Sequence, residues 1–230
     1  MKYMLGANYW GRRWGTEMWL HYDKKEVREE LKQLSEWGVR CLRVFPNWRD
    51  FQPVEKAYAW QGTFGEYVNS NSGVPVYDDG VDEGQIENFR DFCRAAGEFG
   101  IELVVSIVTG WMSGKLFTPP VLNGKNLITD PEALMWMRRF IHRFVSEFKN
   151  ERCIISWDLG NECNCLGRAE TEYEAYNNIL RILCAYAANK RQAYEARDII
   201  INSCTNQAYI TMWNNWLPQY SGGKKHVKNN

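Results

Sequence analysis

The chain has 230 residues, 45% hydrophobic and 14% aromatic, with 28 basic side chains balanced by 28 acidic ones. That length supports one sizeable core rather than two domains. Zero net charge, with no basic cluster before the C-terminal tail, argues against nucleic acid or an anionic membrane as the main partner.

The N-terminal residues Met1 to Asn8 lack an apolar stretch long enough for a signal peptide, and no run of about 18 apolar residues occurs. A cytoplasmic location is the expectation. Seven cysteines at 41, 93, 153, 163, 165, 184 and 204 are odd in number and scattered, so they form no disulfide framework. Most read as small buried apolar residues.

Met4 to Tyr9 is predicted as a first strand, followed by a loop carrying Trp10, Trp14 and Trp19. Asp23, with Glu26 three residues on, starts a helix whose stripe is Val27, Leu31, Leu34 and Trp37, and Gly38 stops it. Val39 to Phe45 is the second strand, closed by Pro46. Arg43 near its end needs a carboxylate partner, because an unpaired guanidinium in a buried strand is costly. The alternative is an Arg43 that points outwards between helices.

Residues 46 to 84 read as a long loop without regular structure, with Trp48, Phe51, Tyr58, Trp60, Phe64, Tyr67 and Tyr77 distributed through it. Loops of that length in a compact domain are usually functional. Asp82 to Phe99 is the next helix, with Ile86, Phe89, Cys93 and Ala96 facing inwards and Gly100 as its stop. Ile101 to Val108 is a β-branched strand leading into a loop with Trp111. Asp130 as N-cap and Pro131 at the first helical position open another helix, with Leu134, Met137, Ile141, Phe144 and Phe148 as its buried stripe.

Cys153-Ile154-Ile155-Ser156-Trp157-Asp158-Leu159-Gly160-Asn161-Glu162 then reads as a buried fourth strand that delivers Asn161 and Glu162 at its tip. A half-buried carboxyl there is suited to act as a general acid. The alternative is a helix-capping or salt-bridged Glu162. Cys163-Asn164-Cys165 reads as tight-loop cysteines rather than a metal site, because the chain has only three histidines and no second paired-cysteine motif. A fourth helix over roughly residues 171 to 195 and a fifth strand over 197 to 203 follow, with Trp213 and Trp216 beyond. Alternating βα elements of this kind predict a parallel α/β fold with right-handed crossovers.

The strand ending Trp157-Asp158-Leu159-Gly160-Asn161-Glu162 resembles the fourth strand of the clan of retaining (β/α)8-barrel glycoside hydrolases that includes cellulases, β-mannanases and β-galactosidases. The resemblance extends over residues 3 to 216. It implies a TIM-barrel fold, a carbohydrate substrate and no cofactor or metal. It also implies Glu162 as acid/base, Asn161 as hydrogen-bond partner of the sugar 2-hydroxyl, and Arg43 in support of the active-site carboxylates. Trp10, Trp48 and Trp111 are the expected sugar contacts, since C–H faces of sugar rings pack on aromatic rings.

A closed barrel usually takes about 250 residues, and 27 residues follow the fifth strand. The expectation is a partial barrel over residues 1–220 with about five βα units, followed by a disordered polar tail at 221–230. The nucleophilic Glu that the resembled clan carries on strand seven has no counterpart, so the chain is expected to be truncated and inactive alone. Exposed barrel edges would then invite self-association. A second reading is a non-catalytic carbohydrate-binding or assembly protein. Other TIM-barrel chemistry, metal-dependent or phosphate-binding, is disfavoured by the few histidines and the missing glycine-rich loop.

Overall fold

The computed structural model describes residues 4–166. The predicted fourth helix, the fifth strand, Trp213, Trp216 and the polar tail lie outside the described residues. In chain order the main elements are β1 (Gly6–Asn8), α1 (Lys24–Glu36), β2 (Cys41–Val44), α2 (Trp48–Phe51), β3 (Val54–Tyr58), β4 (Phe64–Asn69), α3 (Glu83–Glu98), β5 (Glu102–Val108), β6 (Trp111–Met112), β7 (Lys115–Leu116), α4 (Pro131–Phe148) and β8 (Ile154–Gly160).

Four strands form one sheet in the order β1-β2-β5-β8, every neighbouring pair parallel. Sequential parallel strands linked by helices are the opening half of a TIM-type barrel, which is the fold class the sequence predicts. Each long helix begins where its cap residue dictates. The Asp23 side chain accepts from the amides of Lys25 and Glu26, Asp82 from Gln85, and Asp130 from Glu132 and Ala133. No helix among the described residues is long and apolar enough to cross a membrane.

The core lies between the sheet and the helices. Leu42 and Val44 of β2 join Leu31, Phe89, Phe92, Phe140 and Phe144 in it, while Cys41 and Arg43 point to the opposite, half-open face. Trp37 is corrected here: it caps α1 at its C-terminal end and is 66% exposed. Helical spacing extrapolated one position too far, past the last residue with helical geometry. On α4, Leu134 is only half-buried, and Trp136 and Phe140 take the core positions.

The largest correction concerns residues 46 to 84. They are not a structureless loop: α2 is followed by the antiparallel ribbon β3–β4, with Val54 opposite Asn69 and Tyr58 opposite Phe64. Residues 74–76 run along the free side of β4, through Asn69 N to Val74 O at 2.8 Å and Val76 N to Tyr67 O at 2.8 Å. The sequence Val54-Glu55-Lys56-Ala57-Tyr58 hides its strand character because only its first residue is buried.

Candidate active site

The carboxyl ends of β2, β5 and β8 bring together Arg43, Ser106, Asp158 and Asn161. Arg43 Nε donates to Asp158 Oδ2 at 2.7 Å, and Nη2 donates to the Gly160 carbonyl at 3.1 Å. Nη1 reaches Asn161 Oδ1 at 3.3 Å. Asp158 also accepts from the Ser106 hydroxyl. Arg43 therefore has the carboxylate partner its sequence position demanded, and the partner is the Asp three residues before Asn161. Its guanidinium also lies 4.7 Å from the centroid of Phe45, which shields one face of the pair.

Asn161 is held from both ends of its amide. Its oxygen accepts from Arg43, and its nitrogen donates to the Trp111 carbonyl at 3.1 Å and lies 3.7 Å from Met112 Sδ. An amide fixed in this way presents a single orientation. Trp111 thus contributes its backbone to the site, and its half-buried ring packs against the core.

Two backbone features shape the strand tip. Gly160 has φ 155°, and a Cβ there would come within 2.1 Å of the Val108 carbonyl, so the close pairing of β8 with the end of β5 requires glycine. Glu162 sits in the left-handed region at φ 45°, ψ 48°. A non-glycine residue in that region stores strain, which elsewhere marks functional positions. Glu162 is exposed rather than half-buried, a correction to the sequence expectation: the left-handed turn lifts it off the strand. Cys163 beyond it is buried, and burial pushes its thiol up to about 12, whereas Cys165 is exposed. Among the described residues no group of three or more His, Cys, Asp or Glu side chains could hold a metal ion.

The three tryptophans proposed as sugar contacts part ways. Trp10 is half-buried and stacks on Phe45, with ring centroids 4.8 Å apart and planes at 10°. Trp111 lies beside Asn161. Trp48 is a correction: it is fully buried, with its indole N–H donating to Gln52 Oε1 at 2.7 Å, and has no face open to a sugar. An aromatic residue following a strand looks the same in sequence whether it lines a cleft or plugs the core, and Trp48 plugs the core.

A second polar group beside this site was not foreseen. Asn47 is fully buried and donates to the Thr16 carbonyl at 2.6 Å and to Asp50 Oδ2 at 3.0 Å. Arg49 binds Asp50 at 2.9 Å and Glu17 at 3.1 Å and covers the Phe117 ring. Burial raises the pKa of Asp50, and hydrogen bonds from Asn47 and Arg49 oppose the rise only in part. This group ties the loops after β1, β2 and β5 together. The sequence signal available was the cluster Asn47-Trp48-Arg49-Asp50 directly after Pro46.

No protein-family model and no curated protein matches the chain. Solved structures do. An exo-β-1,4-mannosidase from Opitutaceae bacterium strain TAV5 superposes with a TM-score of 0.63 at 23% identity, over 80% of this chain and 29% of its own. GH5_18 from Streptomyces cattleya in complex with GlcNAc gives 0.65 at 22% identity, over 82% and 42%. GH5_18 from Bifidobacterium longum subsp. longum gives 0.63 at 22%, over 83% and 43%. The chain thus spans less than half the length of these neighbours. The likeness shows the fold, a TIM-type barrel, of which this chain carries a part.

Proposed function

We propose that this part-barrel belongs to a retaining glycoside hydrolase acting on β-linked glycans or glycosides of the mannan or cellulose kind. Glu162 is the acid/base, Asn161 the partner of the sugar 2-hydroxyl, and Arg43 the residue that positions Asn161. The observation that carries this reading is the Arg43–Asp158–Asn161 network at the tip of β8. It fixes an amide directly before an exposed carboxylate at the end of the barrel where chemistry is expected. The barrel fold of the neighbours supports it, as do the mannosidase name of one of them and the GlcNAc in the complex of another.

In this reading Glu162 gives its proton to the glycosidic oxygen as the bond to the leaving group breaks, and then takes a proton from the incoming water. Retention needs a second carboxylate, about 5 to 5.5 Å away, to attack the anomeric carbon. Asp158 is a poor candidate because Arg43 and Ser106 occupy the oxygen nearest them. The nucleophile is therefore assigned outside residues 4–166, and turnover depends on its being supplied. Trp10 and Trp111 flank the sugar.

Aryl β-mannosides, β-glucosides and β-galactosides offered to the full chain and to its Glu162→Gln variant test this. Where the nucleophile is supplied, turnover by the parent that is lost in the variant, on at least one sugar, is the expected result. Sugar binding without turnover, unchanged in Glu162→Gln, would sink the hydrolase reading in favour of a carbohydrate-binding protein.

A further inference from the structure

The β3–β4 ribbon carries side chains that its own folding does not use. Its inner end is anchored: Lys56 donates to Glu132 Oε2 at 2.8 Å, the Tyr67 hydroxyl donates to Glu132 Oε1 at 2.9 Å, and the Tyr67 ring meets Trp136 edge-on at 5.0 Å. Glu132 lies in the first turn of α4. In a βα barrel the helix N-termini surround the carboxyl ends of the strands, so the ribbon stands on the same rim as Asn161 and Glu162.

At the outer end Phe64 leans on the Tyr67 ring, with centroids 4.9 Å apart, and the rings there stay largely open to solvent. Tyr58 is 64% exposed, Trp60 84% and Phe64 51%. Tyr58 and Phe64 are directly opposite in the register and so share one face. Trp60 sits on an ordered turn, in which Ala59 N donates to Thr63 O at 2.7 Å and Thr63 Oγ1 to Trp60 O at 3.0 Å. Tyr77, at the end of the segment alongside β4, is also largely exposed. From Ala57 to Tyr77 there is one charged residue, Glu66, in a chain that is 24% charged. On the turn beside Trp60 lie the amide of Gln61 and the hydroxyl of Thr63.

We propose that this ribbon is a docking surface for a neutral, β-linked polysaccharide laid over Tyr58, Trp60 and Phe64. The inference rests on the reading of the chain as carbohydrate-active and deepens it, since a polymer rather than a short glycoside has the reach to use a rim platform. Uncharged rings interleaved with hydroxyl and amide groups complement a ligand that offers apolar C–H faces and hydroxyls. The same lack of charge disfavours nucleic acid and anionic polymers.

Native electrophoresis of the full chain through gels containing glucomannan or hydroxyethyl cellulose tests this. The parent should be retarded, and a Tyr58→Ala, Trp60→Ala double variant should bind about tenfold more weakly, as expected for the loss of two stacked rings. Both substituted side chains are exposed, so the melting temperature should not move. Glu162→Gln should be retarded like the parent, which separates this surface from the catalytic reading. Equal retardation of the double variant and the parent would overturn the proposal, as would no retardation of the parent by either polymer. A dimer on sizing chromatography that the double variant converts to monomer would also overturn it, by assigning the surface to a second copy of the chain.

Discussion

Two short segments at the same end of the sheet are built from nearly the same residues and end up doing opposite things. Asn47-Trp48-Arg49-Asp50, after β2, turns its tryptophan, its amide and its acid inwards; all three are buried, and they cement three loops. Trp157-Asp158-Leu159-Gly160-Asn161-Glu162, along and after β8, also buries its tryptophan, but Gly160 and the left-handed turn at Glu162 carry the chain out of the sheet. Its amide is held at half depth and its terminal acid is exposed. Residue type does not separate a structural cluster from a candidate catalytic one; the path of the backbone does.

The largest effect that should distinguish the two is on stability. Trp48→Ala should cost about 3–5 kcal/mol by leaving a cavity under α2 and stranding Gln52. Chemical denaturation measures this, and an unchanged midpoint with weakened sugar binding would reverse the assignment. Arg43→Met should cost less, about 1–3 kcal/mol, because the Arg43–Asp158 pair is partly open to water. Its larger consequence should be loss of Asn161 positioning, read as a fall in kcat on aryl glycosides that Arg43→Lys restores only in part.

Asp50 gives a prediction with a definite sign. Its folded pKa is raised by burial. Between its unfolded value, about 3.9, and the raised one, the folded state binds more protons than the unfolded state. Stability contributed by Asp50 therefore falls as pH rises through that window. Thermal melts of the parent and Asp50→Asn should show a parent-minus-variant difference that shrinks with rising pH; a difference that grows would contradict the burial argument. The smallest effect is expected at the ribbon anchor, where Tyr67→Phe removes one hydrogen bond to Glu132, for about 1 kcal/mol.

Much of this architecture was legible because short-range chemistry enforces it. Asp23, Asp82 and Asp130 marked helix starts through their side-chain caps, and Arg43 announced a carboxylate partner through the cost of burying it alone. The identity of that partner was less accessible. Asp158 becomes visible only once β2, β5 and β8 are side by side and Arg43, Ser106 and Asp158 share a face. The ribbon escaped detection because its strands bury only Val54 and Val68 and alternate weakly, so the hydrophobic signal that reveals a half-buried strand is faint. Trp48 misled for the converse reason, its burial being decided by a core to which remote residues such as Trp136 of α4 belong.

The most direct test of the central claim, that Glu162 is the proton donor at a glycosidic bond, is the dependence of kcat/KM on the leaving group for the parent and Glu162→Gln. With a phenyl leaving group, which needs a proton, the variant should lose about 10²- to 10⁴-fold. With 2,4-dinitrophenyl, which leaves unaided, it should lose far less. An equal loss on both substrates, or no loss on either, would contradict the account.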